Sequence, residues 1–489
     1  MNPSSTTAGE LVILGAGPSG LSCAYELSQR GIPTIVQERH RQVGGLCRTM
    51  EFKGFLFDVG PHRFFTKNDE VDRLWHDLLG DEVAHVNRLT RILYRNRFFD
   101  YPLKPMSALT GLGIFTSAHA VGSYAWSRMT RGNQPAHSFE DWVVSQFGKV
   151  LYEIFFKTYT EKVWGIPCSG ISAEWAGQRI KGLSLSKAVI NGLFPKLNRG
   201  SDGVKSLVDQ FDYPRRGAGQ VFEIMAERST ASGSRIDLGV SAQAIVHDNK
   251  RITAVESDTP SGPQTTRVQH LFSSIPLTEF ILRLRPAPPA EVLEAARALY
   301  YRDHITVNLI VKKRAPFPDN WIYVHSPEVK VARISSYGNF SPGMLADQNK
   351  DALSVEYFAF AHEDIWQMSD AELVKLGVRE LVQLGLIEAS DFEDGFIIRE
   401  RDSYPTYYLG YKHNLDTIRA YVDQFTNLTL VGRGGMYRYN NQDHAMLSGL
   451  LAARNFTGFG KRYNLWEINE EDEYLEEKQL PSPMHAGNQ

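Results

Sequence analysis

The stretch LVILGAGPSGLSCAYELSQRGIPTIVQER, residues 11–39, constrains the fold more than any other part of the chain. The apolar run 11–14 reads as a strand, and Gly15, Gly17 and Gly20 follow it at the spacing of a tight turn that opens a helix. Gly15 permits the turn, Gly17 lets a pyrophosphate reach the backbone, and Gly20 lets the helix lie close on the strand. The helix N-terminus then faces the anion. Glu38 ends the next apolar run, where its carboxylate can accept from a ribose hydroxyl. Together these features predict a Rossmann-like α/β dinucleotide-binding domain.

Later segments suggest a chain that leaves this domain and returns to it. Residues 137–195 read as mostly helical, 300–360 as half-buried antiparallel strands, and LTLVGRGGMYRYNNQDHAMLSGLL near the C-terminus as strand, glycine turn and helix. The expected organisation is a discontinuous cofactor domain (9–95, 203–290 and 425–462), a helical substrate subdomain (96–202) and an antiparallel-sheet substrate domain (291–424). The acidic, then Pro-rich tail 463–489 is expected to be disordered.

With 489 residues, 42% apolar and 22% charged, the chain has the composition of a soluble globular protein. A net charge of −3 and the lack of a basic stripe argue against a nucleic-acid partner. Cys23, Cys47 and Cys168 are widely spaced with no CxxC pair, which fits a reducing cytoplasm and gives no metal site. No signal peptide is readable. Residues 106–127 carry no Lys, Arg, Asp or Glu and are long enough to span a bilayer, but their six Ser/Thr and three Gly favour a buried helix plus loop over a membrane contact.

The next stretch bears on the cofactor. RHRQVGGLCRT, residues 39–49, places Gly44, Gly45, Leu46 and Arg48 directly after the ribose-binding end. This second glycine pair followed by Arg resembles the FAD enzymes of the amine oxidase, protoporphyrinogen oxidase and UDP-galactopyranose mutase superfamily; NAD dehydrogenases lack it. YPRRGAGQVFEIMAE at 213–227, a hairpin near 240–256 and the C-terminal LVGRGG extend the resemblance to about residues 10–460. It implies FAD, with NAD(P)H a candidate reductant. The implied FAD-binding residues are Gly15, Gly17, Gly20, Glu38, Arg39, Gly44, Gly45, Leu46, Arg48, Gly60 and Val240, then Gly432, Arg433, Asn441, Gln442 and Asp443 near the C-terminus.

Within the superfamily, FFKTYTEKVWGIPCSGISAEWAGQR at 155–179 resembles the UDP-galactopyranose mutases through Tyr159, Trp164 and Arg179. There the aromatics lie against a nucleotide sugar and the Arg holds its diphosphate, for which a guanidinium fork is well suited. Without the resemblance, the two aromatics would read as core. DVGPHRFFTKNDEV matches the segment whose His, here His62, sits beside the flavin. RNRFFDYPLK places Tyr101 at the uracil-stacking position, with Leu103 and Lys104 departing from the eukaryotic pattern. RDSYPTYY and YRYNNQDHAM place Tyr404 and Tyr439 on the diphosphate, the second stretch two residues shorter than in eukaryotic mutases. Arg333 and Asn339, in VARISSYGNFSP, complete the implied substrate set. A second diphosphate Arg expected in HITVNLIVKK is here Val311.

Three functions stand side by side. The first is a nucleotide-sugar mutase, in which the N5 of reduced flavin attacks the anomeric carbon and pyranose and furanose forms interconvert for polysaccharide biosynthesis. The second is an oxidoreductase of the same superfamily acting on another anionic substrate. The third is a flavin-bound protein without turnover. A homo-oligomeric state stays open.

Overall fold

A computed structural model describes residues 9–103, 108, 111–131, 135–175, 205–207, 210–468 and 477–479. Two sheets organise the chain. In the first, strands Arg235–Leu238, Ile35–Glu38, Glu10–Leu14, Gly262–Ser273 and Leu428–Leu430 run parallel in that order. The hairpin Ser241–His247/Ile252–Thr259 extends this sheet antiparallel from Gly262–Ser273. Buried on both faces, residues 11–14 of Glu10–Leu14 read as a continuous apolar run. Helices Pro18–Ser28 and Gln442–Thr457 cross at close range: a Cβ on Gly449 would lie 2.1 Å from the Ser19 carbonyl oxygen. Their shared core includes Leu21, Ala24, Met446 and Leu450.

The second sheet has the order Phe392–Pro405, Tyr301–Val311, Asp351–Ala359, Arg333–Ser336, Trp321–Val324, Thr90–Tyr94, Arg97–Asp100. All its pairs are antiparallel except Trp321–Val324 with Thr90–Tyr94. The half-buried pattern expected of 300–360 is corrected here: Tyr301–Val311 and Asp351–Ala359 are buried along their whole length. Helix Asp370–Gln383 covers one face, packing Leu373 and Leu376 on Ile305, Val307, Leu309 and Val311. The alternate positions Arg302, His304, Thr306 and Asn308 are polar and equally buried. Period two therefore separates an apolar from a polar buried face, not core from solvent.

Val311 belongs to the apolar face, at 0% exposure. It cannot stand in for a ligand-facing arginine, and Lys312 and Lys313 are exposed beyond the strand end.

The helical part begins with Ile114–Arg131 and continues through Phe139–Phe147, opened by a Ser138–Asp141 capping box. A single π turn, Glu153–Lys157, leads into Thr158–Trp164, which Gly165 ends in a left-handed conformation. The charge-free run 106–127 departs from expectation: it is helical from Ile114, but Ile114 and Phe115 are 85% and 92% exposed. No helix among the described residues is long and apolar enough to cross a membrane.

Candidate active site

A cleft opens at the C-terminal ends of the parallel strands, where an open α/β sheet places its ligand. Its walls include Gly15, Gly17, Glu38, Arg39, Gly45, Leu46, Arg48, His62, Val240, Gly432, Arg433, Asn441 and Gln442. Glu38 accepts from the amides of Ala16 at 2.7 Å and His40 at 2.9 Å, which fixes its carboxylate at the rim and leaves lone pairs for a ribose. Two glycine backbones face each other beside it: a Cβ on Gly45 would come within 3.0 Å of the Gly17 Cα. That bare surface at the start of a helix fits a pyrophosphate. Gln442 Nε2 donates to the carbonyls of Arg63 at 2.9 Å and His62 at 3.3 Å, tying the C-terminal helix to the His62 segment.

Other expected cofactor residues act on the protein itself. A Cβ on Gly20 would lie 1.9 Å from the Gly15 oxygen, so Gly20 is a packing glycine. The Gly44 amide donates to Ala16 O at 2.8 Å. Arg48 spends its guanidinium on Glu400 and Gly45 O. Asp443 faces a second cavity, which it lines with Thr66, Lys67 and Asn68. Sequence reasoning missed Ser274, Pro276, Glu279, Arg283 and Glu400, which line the cleft from positions without a motif.

Arg433, on the cleft wall, reaches a cluster of aromatic residues. Tyr404 and Tyr439 stack at 5.9 Å, and the Arg433 guanidinium lies 5.1 Å and 4.6 Å from their ring centroids. Arg433 is held by the Asn440 carbonyl at 2.7 Å and the Ser403 carbonyl at 3.2 Å. Tyr159 stacks on His325 at 4.8 Å and meets Tyr323 edge-on at 5.5 Å, and Tyr323 contacts Tyr101 at 4.6 Å. Trp164 is 3% exposed and sits behind these rings, 6.4 Å from Tyr404. The aromatic pair of the YTEKVWG stretch thus divides its roles: Tyr159 joins the cluster and Trp164 supports it. Lys162 between them donates to the carbonyls of Val324, Ser326 and Val331 at 3.2, 2.7 and 2.9 Å, and burial lowers its ammonium to about 8.

Two expected substrate ligands turn out to be committed elsewhere. Arg333 forks onto Glu356, Nε to Oε1 at 2.6 Å and Nη2 to Oε2 at 2.5 Å, and His304 Nε2 lies 2.9 Å from the same Oε2. Asn339 donates to the carbonyls of Phe317 at 3.0 Å and Asp319 at 2.9 Å and accepts from Arg314, pinning a loop. Arg179 lies outside the described residues.

Burial alone would raise the Glu356 carboxyl, but Arg333 and His304 outweigh it and hold it down at about 2. Gly60 covers this array with φ of +85° (a Cβ there would be 3.0 Å from Glu356 Oε2). His62 is lowered from 6.5 to about 3, by enclosure first and then by Arg433 and Arg333. It is neutral at pH 7. Since Gly60 O at 2.8 Å can only accept, Nδ1 carries the proton and Nε2 remains an acceptor. Burial raises the Tyr404 and Tyr159 phenols, so both stay protonated donors.

The His62 shift sets a measurable pH dependence. Its folded value lies below its unfolded one, so the unfolded chain binds the proton first and stability falls as pH drops below 6.5. His62→Gln removes that loss. Relative to wild type, the variant should gain about 2 kcal/mol between pH 7 and pH 4.5 in urea titrations. A difference independent of pH would mean that His62 is not held neutral.

The comparisons agree with this geometry. The flavin containing amine oxidoreductase family model matches residues 18–456. A probable UDP-galactopyranose mutase of Klebsiella pneumoniae is 26% identical over 169 residues, 34% of this chain and 43% of that protein. A 4,4'-diapophytoene desaturase of Methylomonas sp is 35% identical over 91 residues, 18% of each chain. The matched stretches therefore span less than half of these relatives. Among solved structures, reduced UDP-galactopyranose mutase superposes with a TM-score of 0.80 at 21% identity, over 94% of this chain and 99% of that one. A putative protoporphyrinogen oxidase from Exiguobacterium sp. 255-15 gives 0.69 at 17%, over 92% and 99%. With a matched family model over most of its length and a cleft built for a dinucleotide, the chain belongs to the flavin containing amine oxidoreductase family and is an FAD-dependent enzyme.

Proposed function

We propose that this enzyme interconverts pyranose and furanose forms of a nucleotide sugar, a step that would supply polysaccharide biosynthesis. The observation that carries the reading is the Tyr404–Tyr439 pair beside the flavin cleft, polarised by Arg433, with Tyr404 packed on the same hydrophobic cluster as Tyr159, Tyr323 and Tyr101. Reduced FAD, when bound, supplies the nucleophile for the anomeric carbon. The residues do the rest. Tyr404 and Tyr439 donate to diphosphate oxygens, and Arg433 adds positive field behind them without leaving its carbonyl partners. Arg179 is the proposed direct diphosphate ligand. Tyr159 and Tyr101 bound the sugar and base, and neutral His62 accepts a hydrogen bond beside the flavin. Glu356 neutralises Arg333, so Arg333 shapes the pocket floor.

One observation favours a second reading, an oxidoreductase. Glu356 neutralises Arg333, and carbonyls occupy the N–H donors of Arg433, so neither guanidinium is free to grip an anion directly. An aromatic-walled pocket of that kind suits a less charged substrate as well. UDP binding separates the two. Titrated into the oxidised holoprotein, UDP should change the flavin spectrum saturably, and Tyr404→Phe should weaken it by roughly tenfold or more. Absence of a saturable response to UDP would sink the nucleotide-sugar reading.

A further inference from the structure

Helix Ile114–Arg131 presents a surface that the catalytic reading does not use. Ile114, Phe115, Trp126 and Met129 are 85%, 92%, 68% and 80% exposed, a concentration of bare large apolar side chains on one short element. Its other side is anchored: Ala120 is fully buried, and Ser123 Oγ accepts from the Val150 amide at 3.3 Å. The apolar face is therefore held outward by packing, and it is larger than scattered surface residues explain.

Charge identifies the occupant. Between Asp100 and Glu140 the sequence contains no carboxylate. Arg97 lies at the start of the helix, where its Nη1 donates to Gly111 O at 2.8 Å, and exposed Arg128 lies near its end. On the helices packed behind, Asp141 is taken up in the Ser138 cap and Glu153 lies 4.0 Å from Lys149. A second copy of the chain fits poorly. Antiparallel pairing of two such helices sets Arg128 of one against Arg97 of the other, and parallel pairing sets Arg128 against Arg128, with no acid to neutralise either. An anionic lipid surface satisfies both features at once, since apolar side chains enter the acyl boundary and cations meet headgroups.

We propose that this helix docks the enzyme on an anionic membrane surface, lying in the interface plane with Phe115, Trp126 and Met129 inserted. The inference is independent of the reaction catalysed. The test is flotation of the FAD-loaded protein with vesicles of phosphatidylcholine plus phosphatidylglycerol, against phosphatidylcholine alone. Wild type should float with the anionic vesicles and release on added salt. The triple variant Phe115→Ser/Trp126→Ser/Met129→Ser should lose at least roughly tenfold in partitioning, and Arg97→Glu/Arg128→Glu should lose its preference for anionic lipid. Retained flavin absorbance and melting temperature show that both variants are folded. Three results overturn the proposal: no flotation of wild type, equal flotation on neutral and anionic vesicles, or a wild-type dimer that the triple variant dissociates while vesicle binding is absent or unchanged.

Discussion

Replacing Glu356 with alanine is expected to cost about 3–5 kcal/mol of folding stability, the largest effect of any single side chain in the site. Its carboxylate is fully buried and carries both Arg333 contacts and the His304 contact. Removing it leaves a guanidinium enclosed without a counter-charge, which is far worse than never having buried the pair. Glu356→Gln keeps the shape and one acceptor, so it should lose less than alanine does. Urea denaturation of the three proteins at pH 7 checks the order. An alanine variant within about 1 kcal/mol of wild type would mean that water reaches Arg333 and that the array is not a closed ion cluster. The array also has a pH signature. The folded Glu356 value of about 2 lies below its ordinary 4.5, so its contribution is present above 4.5 and is lost as pH falls toward 2.

Gly20→Val should abolish FAD retention. A Cβ at this position would sit 1.9 Å from the Gly15 oxygen and 3.2 Å from Ile13 Cγ2, so the helix must move away from the strand. That movement displaces the helix N-terminus from the Gly17–Gly45 surface, where the pyrophosphate is to lie. The expected loss is about 3 kcal/mol or more, roughly a hundredfold in FAD affinity, and the protein should purify colourless. A yellow Gly20→Val protein with unchanged FAD affinity would contradict the assignment of this turn to the cofactor. Gly17→Ala is the milder companion: an added Cβ meets only Gly45 Cα, at 3.8 Å, so its cost should come from crowding the ligand and not from the fold.

The cofactor side of the molecule was legible in the sequence because its signals are local. A strand, three glycines and Glu38 lie within one short stretch, and each needs only its neighbours to be interpreted. The substrate side depends on register. Arg333, Glu356 and His304 come from three strands, and only the pairings Arg333↔Glu356 and His304↔Phe358 bring them together. Val311 illustrates the same limit. Counting along HITVNLIVKK gives a position but not a face, and the covering helix Asp370–Gln383 decides that the face is apolar. Asn339 lies in a strand-end segment that looked ligand-facing, yet its amide is used to hold the Phe317 and Asp319 carbonyls of a neighbouring loop. The helix Ile114–Arg131 reads as apolar whether a neighbour covers it or not, so hydropathy alone did not distinguish a buried helix from a bare one.

Under the proposed function, a substrate wall of hydroxyl donors and aromatic faces works on a flavin that must be reduced. Conversion of UDP-galactopyranose tests this most directly. Dithionite-reduced enzyme under argon should generate a second UDP-hexose peak in ion-pair chromatography. Oxidised enzyme should give none, and Tyr404→Phe/Tyr439→Phe should slow the reduced enzyme by at least roughly tenfold. A flavin that binds and reduces normally but yields no second peak, with UDP-galactopyranose and other UDP-hexoses alike, would contradict the mutase assignment and leave the oxidoreductase reading in its place.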